Sequence, residues 1–570
     1  MNILGINYGG HDTSACILSN GKIIAACEEE RYDKIKHSRN FPINAIKDCL
    51  KISNLKMSQI DLISFGFLPS LRIEDLYIKT LAENPNRINI LIQDIHKIDN
   101  LENIENIIRK KTSFKKKIEF HNHHLCHLAS SFYPSGFKKS LITSYDGIGE
   151  VHSALFAIGD KNKIKIIHDQ NKFPNSLGLF YSAVTSYLGW RHHCDEGIIM
   201  GLAPFGNPHA KNKKTGKSYI KSFREIIKVD SKDPLKYLIS LDWISYHKKR
   251  DTWVSNKFLD AFGPKRKYNQ KLNNHHKNIA AALQLRLEEV IISQLKYLKK
   301  KYNIHHLCLS GGIALNCSLN GKISRLKIFE KIFVQPASGD AGVAIGSTIV
   351  SHLKRRKNID VKLTNYYLGH KDSLKNILSN FNSKKINAIN YGENIFKVTA
   401  KLLAKGKIVG WFQGRAEFGP RALGNRSILC KPFPVSMRDH INSKVKFRES
   451  FRPFAPSVLE EELHNYFDIN QTSEHMLLAC EAKNRKKKFI SATVHVDNSC
   501  RVQSVSKKTN KKFWNLLNEF KKETEIPVLL NTSFNIKGMP IVNNSKDAIE
   551  CFLKYKIDHL IIDNYLINKK

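Results

Sequence analysis

The sequence predicts an α/β protein of two units, the first a pair of lobes around a cleft. Three observations lead there. Glycine-rich turns follow apolar strands four times in the first 350 residues, and a second unit with its own motifs fills the rest. A chain of 570 residues is also too long for one core, so two or three domains are expected. With 42% hydrophobic residues it can fill them, which excludes global disorder.

Taken in order, "NILGIN" reads as a strand, "YGGHD" as a glycine turn and "TSACIL" as a second strand. "SNG" is a hairpin turn and "KIIAACEEE" a third strand. In a P-loop the glycines lead into a helix instead. "SLITSYDGIGE" is a strand ending in an acidic glycine turn with Asp146 at its tip. A third turn follows "HLCLSGGIALN", and "PASGDAGVAIGS" is a turn running into a helix and carrying Asp340. Turns of this kind build the site of the actin-like nucleotide-binding superfamily. There, backbone N–H groups approach phosphate and helix N-termini add positive potential. Residues from about 205 to 290 are polar and basic and read as an insertion. The basic stretch "LKRRKNID" marks a boundary, giving units at 1–352 and 366–570 with a linker at 353–365. Beyond it come "GWFQGRAEFGPRALGNRSIL", "INSKVKFRESFRPFAP", "RVQSV" and "PVLLNTSFNIKGMPIV".

The formal charge of +41, from 92 basic and 51 acidic residues, raises the question of a polyanionic partner. The lysine runs are short and dispersed, and abundant Lys, Ile and Asn match the residue usage of an AT-rich genome. Solvated surface lysines are therefore the expectation. No RNA-binding signature accompanies them, so nucleic acid is not the expected partner. No apolar run reaches the ~18 residues that span a bilayer, and the start does not read as a signal peptide. Eleven cysteines scattered without a CxxC pair suit a reducing cytoplasm.

Two constellations carry chemistry. "GRAEFGPRALGNRS" spaces Arg415, Arg421 and Arg426 among glycines, and "KVKFRESFRPF" adds Lys446, Arg448 and Arg452. Guanidinium forks match phosphate and carboxylate oxygens two at a time. Asn531 and Ser533 in "LNTSFN" add an amide and a hydroxyl. The bland alternative is surface arginines paired with Glu417 and Glu449. The second constellation is "HNHHLCHL". His123 and His127 stand at i and i+4, so a helix presents both on one face, a spacing that suits two ligands of one divalent metal. Asp146 and Asp340 are the best carboxylate candidates to complete it, whereas His121, His124 and Cys126 face elsewhere. A merely polar, His-rich segment remains the alternative on spacing alone.

The motifs "HHLCHLASSFYPSGF", "SYDGIGE", "FPNSLGLFYSAVTSYLG", "EGIIMGLAPFG", "LSGGIALNCSLN", "FGPRALGNRSIL" and "KFRESFRPFAP" resemble the O-carbamoyltransferase family, in order and over nearly the whole chain. That family includes the nodulation protein NodU and the tobramycin and cephamycin carbamoyltransferases. The resemblance implies an N-terminal actin-like domain and a C-terminal YrdC-like domain. The second would join carbamoyl phosphate to ATP, used with Mg, giving carbamoyl adenylate and pyrophosphate. The first would pass the carbamoyl group to an acceptor hydroxyl of a sugar or natural product. Carried over residue by residue, it implies an Fe(II) site at His123, His127, Asp146 and Asp340, although such a donor set also accepts Mn or Zn. It implies N-terminal active-site positions at His11 and Lys36, and nucleotide and carbamoyl phosphate binding at Arg421, Lys446, Arg452, Arg501 and Ser533, with Asn531 beside them. It is compatible with a homodimer. Ile198 stands where relatives often have lysine, and His192, His193 and Cys194 lie close before it, which puts the acceptor in question rather than the reaction. A tRNA-directed relative of the same superfamily and a non-catalytic nucleotide switch are the competing readings.

Overall fold

The computed structural model describes residues 1–356, 359–382 and 385–570. The opening reads out as expected. Strands β1 (Asn2–Asn7), β2 (Ser14–Ser19) and β3 (Lys22–Glu28) form an antiparallel meander. β4 (Leu62–Phe65) and β5 (Lys117–Phe120) add in parallel to give the order β3-β2-β1-β4-β5. β6 (Lys139–Tyr145), β7 (His152–Asp160) and β8 (Lys163–Lys172) begin a second sheet. A small hairpin, β9 (Ile227–Val229) and β10 (Tyr237–Ile239), intervenes. β11 (His306–Ser310) and β12 (Lys331–Val334) then complete the order β12-β11-β6-β7-β8.

Two helices, His123–Ser135 and Val343–Leu353, pack against each other beside these sheets. The first is capped by Asn122, whose side chain accepts the Leu125 N–H at 2.9 Å. The second approaches so closely that a Cβ on Gly346 would stand 1.8 Å from the Cys126 carbonyl oxygen. A glycine is required there, and the contact brings the Asp340 turn up to the histidine helix.

The stretch read as a polar insertion differs. Asn274–Tyr302 is one helix of 29 residues with Ile279, Leu283, Leu287, Val290 and Leu298 buried. Tyr219, Phe223, Phe258 and Phe262 join the same core. The apolar period was masked by the density of Lys, Asn and His around it. Of the expected linker at 353–365, residues 357 and 358 lie outside the described residues. Past them Val361, Tyr366 and Leu368 are buried against Ile3, Cys16 and Ile345, and the Ala26 N–H donates to the Leu368 carbonyl at 3.2 Å.

Among the described residues, the strands between Ile386 and Lys569 form an eight-stranded mixed sheet, with a three-stranded sheet beside it. The helix Lys511–Thr524 covers it with Phe513, Leu516, Leu517 and Phe520, spaced i, i+3, i+4 and i+7 on one buried face. The whole is a mixed α/β architecture.

Candidate active site

One cavity of about 1900 Å³ reaches from the glycine turns of the first two sheets to the strand ends of the third. His11, Lys36, His123, Asp146, Asp340, Arg421, Lys446, Arg452, Arg501, Asn531 and Ser533 all line it. His127 stands directly behind His123.

At one end, the helix spacing brings His123 Nε2 and His127 Nε2 to 3.1 Å from each other. Asp146 Oδ2 lies 3.4 Å from His123 Nε2 and 3.7 Å from His127 Nε2, and Asp340 Oδ1 lies 3.6 and 4.0 Å away. Donors on a common ion at about 2.1 Å are themselves separated by roughly 3–4 Å, so this quartet fits a divalent cation. Its surroundings fit as well. His123 Nδ1 is 3.3 Å from the Gly66 carbonyl, which directs a Nε2 lone pair inward. The Gly312 N–H donates to Asp146 Oδ1 at 2.9 Å. Glu150 is buried, and its carboxylate accepts the His123 N–H at 2.8 Å and the Asn122 amide at 2.9 Å, pinning the start of the helix. Burial alone would lower the pKa of His123, but Asp146 and Asp340 hold it well above its ordinary value. Burial would raise Asp146, and the two imidazoles hold it well below the carboxylate range. The quartet thus gathers two bases and two acids that a cation would balance.

The flanking histidines fall where the spacing put them. His124 bonds to the Ser144 hydroxyl and the His152 carbonyl, both at 2.9 Å. His121 lies 2.6 Å from Ser351 Oγ, and burial pushes its pKa down to about 4. Cys126 is fully buried packing.

His11 is held by Asp12, Nδ1 to Oδ2 at 2.9 Å, and the other oxygen of Asp12 takes His37 Nδ1 at 2.7 Å. Burial lowers His11, but Asp340 and Asp12 raise its pKa to about 9. Asp12 and His37 are residues the sequence reading missed, although each directly follows a residue it singled out, His11 and Lys36. Lys36 is partly buried beside them.

At the other end, Arg421, Arg452 and Arg501 converge. Arg421 Nε and Arg501 Nε are buried with no hydrogen-bond partner among the described residues. Burial, followed by repulsion from Arg501 and Arg452, pushes the Arg421 pKa from 12.5 down to about 9. Among the described residues, only Arg452 of the three has an ion-pair partner, Glu449 at 3.7 Å, and the buried Asn531 has no partner for its Oδ1. Buried donors of one charge without counter-ions fit an anionic ligand.

Three basic residues behave differently from the phosphate-fork expectation. Lys446 Nζ donates inward to the carbonyls of Ser533 at 2.8 Å and Asn535 at 2.7 Å, and to Asn535 Oδ1 at 2.7 Å. It therefore ties the 533–535 turn, and Ser533 Oγ donates to Asn535 Oδ1 at 2.7 Å within the same knot. Arg426 is fully buried, with its guanidinium donating to the Gln413, Asn425 and Asn543 carbonyls over the Phe412 ring. Arg415 donates to the Ile24 and Gly369 carbonyls. Glu417 pairs with neither and accepts the N–H groups of Leu423, Asn425 and Arg426 at 2.8 to 3.1 Å.

The two ends face each other. Burial, Arg448, Arg452 and then the charge of Lys36 depress the pKa of Lys446. Trp190 Nε1 donates to Glu449 at 3.2 Å, and His495 Nε2 lies 2.9 Å from the Gly201 carbonyl. His193, Cys194 and Ile198 line the same space. So do Tyr246, Arg250 and Trp253 from the supposed insertion, which carried no motif to reveal them.

The family model described as Carbamoyltransferase N-terminus matches residues 2–349, and Carbamoyltransferase C-terminus matches residues 400–569. Nodulation protein NolNO of Sinorhizobium fredii is 34% identical over 578 residues, covering 98% of this chain and 79% of its own. Nodulation protein NolO of Bradyrhizobium diazoefficiens is 38% identical over 459 residues, 79% of each chain. The uncharacterized protein sll1178 of Synechocystis is 34% identical over 605 residues, all of this chain and 96% of its own. No helix among the described residues is long and apolar enough to cross a membrane.

Proposed function

Because the chain belongs to the carbamoyltransferase family, we propose that it is an ATP-dependent O-carbamoyltransferase working in two half-reactions at the two ends of this cavity. At the arginine end, in a unit of YrdC-like type, carbamoyl phosphate and ATP give carbamoyl adenylate. Orthophosphate and pyrophosphate leave, and one water is consumed. Arg421, Arg452 and Arg501 neutralise phosphate charge as it builds on the leaving pyrophosphate. Lys446 holds the turn that presents Ser533 and leaves Asn531 Oδ1 free for a donor on the nucleotide. The observation that carries this reading is the unpaired guanidinium cluster sharing one cavity with the His/Asp quartet.

At the other end, in a unit of actin-like type, an acceptor hydroxyl attacks the carbamoyl carbon, its proton passes to solvent and AMP departs. His11, held by Asp12 at 2.9 Å, offers a ring N–H to the departing phosphoryl oxygen. Lys36 adds positive charge on the same side. His123, His127, Asp146 and Asp340 would hold a divalent ion, which would supply Lewis-acid chemistry for the transfer. Iron(II) is the ion the family resemblance suggests, and a two-His, two-Asp donor set also suits Mn or Zn. The RNA-directed alternative is not favoured, since both matched family models are carbamoyltransferase units.

The test is pyrophosphate release from the full chain with Mg-ATP, with and without carbamoyl phosphate. Release that depends on carbamoyl phosphate supports the adenylating half-reaction. Release that ignores it, or none with or without a hydroxyl acceptor panel, overturns the reading.

A further inference from the structure

The acceptor side of the cavity carries positive charge that the reaction above does not use. Its carboxylates already have partners: Glu28 and Glu30 face Arg31 at 2.9 and 3.9 Å, and Glu30 also accepts the His37 N–H at 2.7 Å. Asp94 binds Arg250 and, at 2.7 Å, Lys97. Asp195 accepts the Arg191 N–H at 3.1 Å. Glu196 accepts the Ser182 hydroxyl and the His193 N–H, both at 2.6 Å. Asp12 is taken by two histidines. By contrast, the exposed side chains of Arg39 and Arg191 have no ion-pair or hydrogen-bond partner among the described residues. Among the described residues, Lys265 has only the Ser186 hydroxyl, at 3.1 Å.

These three cations and His192 line the same cavity. Burial and then Arg39, Lys265 and Arg191 lower the pKa of His192. Its ring lies 4.2 Å from Trp253, and His193 lies 5.2 Å from the same indole. His193 is in turn 5.9 Å from His11, which sits next to Asp340. An aromatic wall with a cationic rim thus leads directly to the proposed transfer site.

We propose that the acceptor is an anionic sugar, with its ring against the Trp253 wall and its phosphate or carboxylate on Arg39, Arg191 and Lys265. The assignment rests on reading this cavity as the carbamoyl-transfer site. The guanidinium forks pair with two oxygens of either anion. The apolar face of a pyranose covers an indole as other flat apolar surfaces do. A polycationic acceptor meets three like charges at this rim, which selects against it. A neutral sugar gains only the aromatic wall.

The test is binding to the full chain by calorimetry, with Mg-ATP present to fill the arginine end. The probes are glucose, glucosamine, glucose 1-phosphate and glucuronate. Both anionic sugars, or one of them, should bind at least about tenfold more tightly than glucose, since charge-assisted contacts are roughly twice as strong as neutral ones. Whichever anion leads identifies phosphate or carboxylate as the group recognised. The preference should vanish in R39A/R191A and turn toward glucosamine in R39E/R191E. Alike binding of all four sugars, no binding included, or a preference kept in both variants, overturns the proposal. Pyrophosphate release is scored separately. Its failure with the anion preference intact counts against the adenylation reading alone, whereas its success with no preference counts against the rim alone.

Discussion

Replacing Arg421 with methionine should move stability and activity in opposite directions. A guanidinium whose pKa falls from 12.5 to about 9 is held charged at neutral pH at a cost on the order of 5 kcal/mol. Burial is the larger cause, with repulsion from Arg501 and Arg452 behind it. That penalty is present in full below about pH 9 and fades above it, because only there does the folded side chain shed its proton. Arg421 keeps some solvent contact, and methionine repacks only part of its volume. The expected gain for the ligand-free protein is therefore about 1–3 kcal/mol, read as a rise in Tm. Pyrophosphate release should fall by about 10²–10³-fold, as when one charge-stabilising donor is removed. The rise in Tm on adding ATP should shrink with it. A variant that melts lower than the parent while still releasing pyrophosphate would show that Arg421 supports the fold, and the anion-site argument would fail.

Three further outcomes follow from the same geometry. His127→Ala should keep carbamoyl phosphate-dependent pyrophosphate release and stop carbamoyl transfer, because His127 lies only at the quartet; loss of both in one assay series would refute the division of labour. Metal analysis of the purified protein should find about one divalent ion per chain, absent from the His123→Ala, His127→Ala double variant, and a full load in that variant would refute the quartet as its site. His370 bridges Asp48 at 2.8 Å and Asp372 at 3.0 Å; burial lowers its pKa, but the two carboxylates raise it to about 9. Its stabilisation, on the order of 3 kcal/mol at most, is complete below pH ~6.5 and lost as pH rises through about 9. His370→Gln should therefore lower Tm near pH 6 far more than near pH 10, and an equal drop at both would refute the ionic account.

The parts of the site that were legible in sequence are those set by local geometry. The i, i+4 spacing of His123 and His127 becomes a shared helix face without tertiary information, and strand-end glycine turns deliver Asp146 and Asp340 to a cleft edge by construction. What could not be read depends on partners far away in the chain. Arg421 and Arg426 lie five positions apart in one motif with the same chemistry. The first lines the cavity without a counter-ion, while the second is locked by carbonyls including that of Asn543. Nothing within "GPRALGNRS" separates them. Lys446 stands out within its motif, yet the direction of its ammonium depends on Ser533 and Asn535, almost ninety positions away. The helix Asn274–Tyr302 was missed for a different reason: its buried side is apolar, but its polar residues dominate any local average.

The proposed reaction also sorts its ligands by charge. ATP and carbamoyl phosphate are polyanions, and the arginine end would meet them with Arg421, Arg452 and Arg501 and, among the described residues, a single ion-paired carboxylate, Glu449. In a water-poor space such fields are felt more strongly than in bulk solvent, so the triphosphate would be directed to the arginines. Once pyrophosphate left, the adenylate would carry a single phosphodiester-like charge and be held less strongly there, with His11 and Lys36 lining the far end of the same cavity. The proposed first step would thereby loosen its own product from the arginine end, and a continuous cavity lets that change in charge act on position.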